Sequence, residues 1–334
     1  MSVLLNPPRD GEVAAHRADG RGLVTGVRLS SGPPPSHASR APPTRAGEDC
    51  GVLPLRFQIG ARTLLSVPRR LRRVALSLDD ALAGRAPVLP PLAPGQDGYL
   101  VTSLPDGAAL SRHGLIAHVR QRYGRCWIDL AAGEAAWRAG LSANARAQLK
   151  RKAKKLGDHT IERFRTAEEV AAFHPLARTV SAKTYQERLL GSGLPTDPAE
   201  LLHLAAADRV RAWLLRVAGE PVAYLCCTAD GATLRYDHVG HDPAWNDRSP
   251  GAVLQAAALG DLFADRFTRF DFTEGEGQHK RQLATGEVAC ADLLLLRATP
   301  ANRAALAALK GWDGLVAGVK RVEWLNKVGA KLRR

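Results

Sequence analysis

The sequence predicts an α/β fold: a mixed central sheet flanked by helices. Three observations carry this. From residue 159 onward, short apolar runs alternate with helical periodicities in the order β-α-α-β-β-β-α-β-α-β. Two links in that series, Ala218-Gly219-Glu220 and Asp230-Gly231, have hairpin length and chemistry, which makes three successive strands antiparallel. A long helical segment then separates the fourth strand from the fifth, as a crossover connection requires. With 334 residues, 45% of them hydrophobic, the chain can bury the core of one large domain or two modest ones. No run approaches the roughly 18 apolar residues of a membrane span, and the longest, such as 289–296 (ACADLLLL), is strand-length.

Taken in order, residues 1–48 hold seven prolines and six glycines with almost no aromatic residues. Such a segment cannot offset its ordering entropy by burial and is expected to be a disordered leader. Two prolines interrupt MSVLLNPPRD before any apolar region develops, which argues against a secretory signal. A hairpin is expected at 51–67, turning at Ile59-Gly60-Ala61, followed by a Pro-rich connector at 86–98. Then come a strand at 99–103, a helix over 109–122 and a strand at 126–130. The segment 134–156 is the most helical of the chain, with Ser142 as an N-cap. A strand at 160–166 leads to a helix opened by Thr166 with Glu168 and Glu169 in its first turn. A short helix at 198–208 precedes strands at 210–217, 221–229 and 232–239. A helix at 250–266, a strand at 269–273, an irregular or helical piece at 274–286 and a strand at 289–297 complete the series. From residue 310 the apolar spacing of Leu315, Val319, Val322 and Leu325 gives a cationic amphipathic helix, suited to packing on the main domain or to a membrane surface. The chain thus divides into a leader (1–48), an N-terminal lobe (49–140), a second α/β domain (141–299) and a basic helical tail (300–334).

Charge and cysteine usage narrow the setting. The 47 Lys and Arg against 33 Asp and Glu give +14 at pH 7, in a composition rich in Ala, Gly, Pro and Arg. Part of that excess is compositional. A specific anion-binding surface would need the cations gathered, and Arg146–Lys155, six of whose ten residues are basic, is where they gather. The five cysteines (50, 126, 226, 227, 290) are odd in number and not spaced as metal ligands, so buried free thiols in a reducing cytoplasm are expected, with no metal. Cys226 and Cys227 fall on opposite faces of one strand.

Two segments concentrate chemistry. In Asp237–Leu254, a strand ends, a loop follows, and Ser249-Pro250-Gly251 opens a helix beside Arg248; unpaired helix amides, small residues and an adjacent cation make an anion cradle. After the next strand comes Asp271-Phe272-Thr273-Glu274-Gly275-Glu276-Gly277-Gln278-His279-Lys280-Arg281, ionisable groups on a backbone loosened by glycines. Each lies at the carboxyl end of a neighbouring strand, where α/β sheets bind ligands.

At these stretches the chain resembles the GNAT acyltransferase superfamily, in its cellulose-biosynthesis (CelD-like) branch, a relative of the Fem-type aminoacyltransferases. The resemblance covers 140–297 and, faintly, the first half, as a double GNAT with a degenerate N-terminal lobe. It rests on Leu141-Ser142-x3-Arg146-x2-Leu149-x-Arg151, on Ser249-Pro250-Gly251, and on Asp271-Phe272-x2-Gly275 with Lys280 downstream. The superfamily's Gln/Arg-x-x-Gly-x-Gly/Ala pattern is met by Arg248 and Gly251 but ends on Val253, and His279 stands where the branch commonly has tyrosine. The resemblance implies that acetyl-CoA or another acyl-CoA, as donor, lies between two splayed strands against Val239, Gly240, Arg248, Ser249, Pro250, Gly251, Ala252, Val253 and Lys280. It implies direct attack by an amine or hydroxyl of a small polar or sugar-linked acceptor. Glu274 or Glu276 would then be the base and His279 the proton donor to the thiolate, and a strand-four amide near His238–Gly240 would polarise the carbonyl. Tyr185, Gln186, Arg188, Tyr236, Asp237 and Asp271 would line the acceptor side. The alternatives are a Fem-like transferase drawing on aminoacyl-tRNA, with 146–155 on RNA phosphates, and a non-catalytic GNAT-fold protein of exopolysaccharide biosynthesis.

Overall fold

Alternating apolar side chains and short turns build ten strands into one sheet, which is seen in a computed structural model describing residues 50–59, 62–112, 114–184, 187, 193–274 and 277–332. These residues belong to a single compact unit, Pro42–Arg334. Strands β1 (Cys50–Ile59) and β2 (Arg62–Ala75) form the expected antiparallel hairpin, with β2 running further than expected; Gly60 and Ala61 lie outside the described residues. A short helix α1 (Leu78–Leu82), capped by the Ser77 hydroxyl, and the Pro-rich connector lead to β3 (Gly98–Pro105).

The first correction falls next. Residues expected to form a helix over 109–122 and a separate strand at 126–130 are one fifteen-residue strand, β4 (Leu115–Asp129). Its pairing with β10 (Gly286–Arg297) steps by one residue between Val119 and Gln121, a bulge at Arg120. The bulge breaks the period-two alternation, so Leu115, Ile116 and Val119 take on a helical spacing although the segment is extended.

The expected 134–156 helix is two: α2 (Gly133–Gly140) and α3 (Ala143–Leu156). The Leu141-Ser142-x3-Arg146 motif is what turns this corner. The Ser142 hydroxyl accepts from Ala145 N at 3.1 Å, and Arg146 Nη1 donates to the carbonyls of Leu141 (2.5 Å), Arg138 (3.2 Å) and Ala139 (3.4 Å), satisfying the orphan acceptors at the end of α2. Beyond lie β5 (Thr160–Phe164) and α4 (Ala167–Ser181), the latter opened by a full Thr166/Glu169 capping box. The series continues with α5 (Ala199–Ala206), β6 (Val210–Val217), β7 (Glu220–Asp230), β8 (Thr233–His241), a 3-10 turn (Pro243–Arg248), α6 (Pro250–Leu262), β9 (Arg269–Asp271), α7 (Gln278–Leu283), β10, and α8 (Pro300–Leu332).

The strand order is β1-β2-β3-β10-β4-β9-β8-β7-β6-β5. The last strand of the chain thus sits between two strands of its first half, antiparallel to both. The sheet is mixed, with β8–β9 and β2–β3 parallel. In the second half it separates two cores. Beneath α2, α3 and α6 lie Trp137, Leu156, Trp213, Leu254, Phe270 and Phe272; beneath α4 and α5 lie Phe173, Val180, Leu204, Leu214 and Tyr224. Full burial of Phe270 and Phe272 contributes roughly 1.5–3 kcal/mol each. Alternation along β7 sends Cys227 to the first core and Cys226 to the second. Cys126, Cys226, Cys227 and Cys290 are free and buried, and burial pushes the Cys126 and Cys290 thiols up to about 11. The C-terminal helix begins at residue 300, and its Leu306 and Leu309 pack on Leu55, Leu71, Leu294 and Leu296. No helix among the described residues is long and apolar enough to cross a membrane.

Candidate functional site

The sheet opens between β8 and β9. The two strands pair in parallel only at Thr233↔Arg269, Leu234↔Phe270 and Arg235↔Asp271, after which β8 runs on to His241 without that partner. A 3.4 Å bond from Thr273 Oγ1 to the Tyr236 carbonyl crosses the start of the gap. β9 stops because Asp271 is drawn inward. Its carboxylate is fully buried and takes the Arg125 fork (Nε–Oδ1 3.1 Å, Nη2–Oδ2 2.5 Å), while Oδ1 also accepts from Thr273 N at 2.8 Å. Thr273 itself has φ +59°, a left-handed turn strained for a β-branched residue, and it carries the chain away from β8.

β8 carries a bulge where it parts from β9. Across β7 the register passes from Thr228↔Arg235 to Cys226↔His238, so β8 spends one extra residue there. Tyr236 and Val239 pack on the α6 side, and Tyr236 stands edge-on to Phe270 and Phe272 with ring centroids 5.8 Å apart in each case. Asp237 and His238 both face the α5 side, consecutive residues on one face, which a regular strand does not allow. Gly240 follows on that face: a Cβ there would lie 2.5 Å from Tyr224 Cε1 and 2.8 Å from Thr184 Cγ2, so the strand approaches this closely only as glycine.

At the far end of β8, α6 presents its N-terminus. Ser249 occupies the N-cap position but with φ +53°, and its side chain makes no bond to the first-turn amides, so the expected side-chain cap is absent. Pro250 is buried at N1. A Cβ on Gly251 would meet only His241 Nδ1, at 3.6 Å, which leaves open space in front of the first turn. Ala252 is half-buried and Val253 packs into the core, so the departure from the family pattern at Val253 is a core side chain. The Arg248 guanidinium lies over the Trp245 ring at 4.9 Å on the exposed surface. Pro250 has no amide hydrogen and the amides of Ala252 and Val253 donate to the Ser249 carbonyl at 3.1 and 3.4 Å, which leaves the Gly251 amide, with Arg248 nearby, as the first-turn donor that an anion could meet.

The loop after β9 is fastened on two sides. Glu274 receives Arg73 Nη2 from β2 at 3.1 and 3.4 Å. Lys280 Nζ donates to the carbonyls of Phe272 and Glu274, both at 2.8 Å, and burial pulls its pKa down. Lys280 therefore ties α7 to the loop. Glu276 lies outside the described residues, as do Tyr185, Gln186 and Arg188; the backbone of His279 is in the first turn of α7. Asp271, expected on the acceptor side, is instead enclosed with Arg125. Tyr236 and Asp237, expected to face one region, point to opposite sides of the sheet.

On the α5 side a cavity of about 160 Å³ abuts the bulge, lined by Asp197, Glu200, Thr228, Arg235, Asp237 and His238 over an apolar floor from Leu201 and Leu204. Asp237 Oδ2 accepts from Thr228 N at 3.1 Å and from its hydroxyl, and Oδ1 pairs with Arg235 at 3.1 Å. The His238 ring bonds the Gly193 backbone; burial lowers its pKa from the ordinary 6.5, against the pull of Asp237. Sequence reading found Asp237 but not Thr228, Arg235, Asp197 or Glu200 as its neighbours, nor the His238 side chain, because the bulge that aims the pair leaves no mark in composition. Among the described residues no group of three or more His, Cys, Asp or Glu is placed to hold a metal.

Residues 143–281 match the model of the acetyltransferase (GNAT) domain family. No curated protein matches the chain. Similar solved structures include the C-terminal domain of a protein ascribed as a lysylphosphatidylglycerol synthetase from Agrobacterium fabrum (15% identity, TM-score 0.46, 60% of this chain and 68% of that one). A GCN5-related N-acetyltransferase from Kribbella flavida (17%, TM-score 0.34, 61% and 69%) and FemX (10%, TM-score 0.37, 52% and 61%) are also similar.

Proposed function

We propose that the chain is an acyltransferase that moves an acyl group from acyl-CoA to an amine. The observation that carries this is the parting of β8 from β9 after Arg235 and Asp271, with the open head of α6 at the end of the unpaired segment. A pantetheine arm laid in that gap finds free backbone groups on β8, and its pyrophosphate reaches the first turn of α6. The thioester supplies an activated carbonyl with a good leaving group. Along Val239–Gly240, where amides alternate between β7 and the open edge, β8 offers one backbone amide to it; the head of α6 at Ser249–Val253 takes the phosphates through the Gly251 amide, and Arg248 adds charge. His279 serves as proton donor to the departing thiolate, with Lys280 holding α7 in place. Glu274, paired with Arg73 across a partly exposed contact, or Glu276 serves as the proton acceptor. The Leu141-Ser142-x3-Arg146 corner supports a place in the CelD-like branch, and with it a sugar-linked or small polar acceptor.

Titration calorimetry of acetyl-CoA and longer acyl-CoAs into the full chain tests the donor. Binding that Gly251→Trp abolishes supports the reading; equal binding by the variant, or none by either, refutes it. One observation favours a second reading. Lys150, Arg151, Lys152, Lys154 and Lys155 on α3 form no ion pair among the described residues, and α3 packs against α6 and the 3-10 turn. That surface suits the phosphates of an aminoacyl-tRNA donor.

A further inference from the structure

We propose that the second half of α8, residues 315–332, is a surface helix that holds the protein on an anionic lipid bilayer. Attachment of this kind does not depend on the acyltransferase reading. The first half of α8 shows which side of the helix meets the protein. Asn302, Leu306 and Leu309 are buried. Arg69 Nε on β2 donates to Asn302 Oδ1 at 3.0 Å, and Leu306 and Leu309 enter the core with Leu55, Leu71, Leu294 and Leu296. Asp313 Oδ2 lies 3.2 Å from His118 Nε2 on β4. Steps of four, three and four residues put these four positions on one face.

Carried on at the same steps, that face reaches Ala317, Lys320, Trp324, Lys327 and Lys331, so a line that begins by packing on the core turns basic after Asp313. The apolar positions change sides. Leu315, Val319, Val322 and Leu325 follow one another at steps of four, three and three, roughly half a turn away from the line through Asn302 and Asp313. Leu315 heads this second stripe and is 63% exposed. A helix that merely prolonged its packing face would have continued the apolar line from Leu309. From Leu315 to Leu332 the stretch is about 26 Å long at 1.5 Å per residue. It lies along a bilayer rather than through it, because no helix among the described residues is long and apolar enough to cross.

Charge selects the partner. Between residues 310 and 334 stand seven Lys and Arg against two acidic residues, Asp313 and Glu323. Residues 1–48 carry six arginines against four acids, and a second copy of the chain carries +14, so neither complements a cationic helix. Nucleic acid would match the charge but leave the apolar stripe in water. An anionic bilayer answers both: the stripe enters the boundary of headgroups and acyl chains, and the cations stay with the lipid phosphates. Long lysine and arginine stems allow this, since they run along an apolar surface and keep their charge in water.

The experiment is co-sedimentation of the full chain with vesicles of phosphatidylcholine, alone or mixed with phosphatidylglycerol, at low and at high salt. Wild type is compared with Val319→Glu combined with Val322→Glu, and with Lys320→Gln combined with Lys327→Gln and Lys331→Gln. Thermal unfolding and sedimentation velocity are run on each protein. Wild type should bind the anionic vesicles about tenfold or more tighter than the neutral ones. The valine variant should lose about tenfold or more of that affinity with Tm unchanged. The lysine variant should bind several-fold more weakly and respond less to salt. Equal binding to both vesicle types, or to neither, overturns the proposal. So does full binding by the valine variant, which would assign adhesion to cations elsewhere on the chain. A Tm several degrees lower in the valine variant would mean that the stripe packs on the protein itself. A wild-type dimer that the same variant dissolves would mean that a second copy covers it, and either result overturns the membrane assignment.

Discussion

The Arg125–Asp271 pair is the sharpest place to perturb this protein, because it ends β9 and so sets where the sheet opens. Both side chains are almost wholly removed from water, 4% and 0% exposed. Arg125 uses two donors on Asp271 and a third on the Leu76 carbonyl at 2.9 Å, so it has no alternative partner to turn to. Asp271→Asn keeps the shape and an oxygen for Thr273 N but leaves a guanidinium buried without its counter-charge. Removing one partner of such a pair costs about 3–5 kcal/mol. At about 2–4 °C per kcal/mol for a large domain, that is a fall of roughly 6–20 °C in Tm. The double variant Arg125→Met, Asp271→Leu should recover most of the loss, since an apolar pair of similar volume is often neutral or better. Urea and thermal unfolding of wild type, both single variants and the double complete the cycle. A cost below about 1 kcal/mol for Asp271→Asn would mean water reaches the pair, and the account of why β9 stops at Asp271 would be wrong.

Further outcomes are expected. Gly240→Ala should destabilise by about 1–3 kcal/mol, because its methyl meets the Tyr224 ring and Thr184; chemical denaturation checks it, and an unchanged midpoint would show that β8 can retreat. Charge reversal of Lys150, Lys152 and Lys154 should weaken tRNA binding and flatten the slope of log K against log salt by about 2–3; an unchanged slope removes α3 from the interface. The folded state holds His238 below 6.5, so its contribution is full above that pH and is lost as pH falls through the folded value; unfolding midpoints between pH 7 and 5 should decline less in His238→Gln. Asp208, which Arg211 and then Arg266 hold at about 2 against an ordinary 3.8, contributes above pH 3.8 and ceases to as pH falls toward 2. Asp208→Asn should therefore lose the part of the acid transition that lies in that window.

The second half of the fold was legible because its signals are local. Hairpin links, the Thr166 capping box and the Ser142 cap each sit within a few residues of what they organise. β4 was misread for an equally local reason: the bulge at Arg120 puts its alternation out of phase. The site was half legible. Gly240 stands where a small residue is required, yet Asp271 proved to belong to Arg125, 146 positions earlier, and Glu274 to Arg73, 201 positions earlier. Partners at that separation are set by strand order, which no periodicity encodes. The bulge on β8 is of the same kind: it appears only when β7 and β8 are laid side by side.

The place of β10 between β3 and β4 has a consequence for the birth of the protein. A ribosome finishes β3 and β4 long before β10 emerges, and at roughly 5–20 residues per second the wait is on the order of ten seconds or more. Throughout that interval two long strands hold unpaired edges toward each other and toward any neighbouring nascent chain. A premature stop anywhere before residue 286 makes that condition permanent. Only when β10 enters are both of those edges closed.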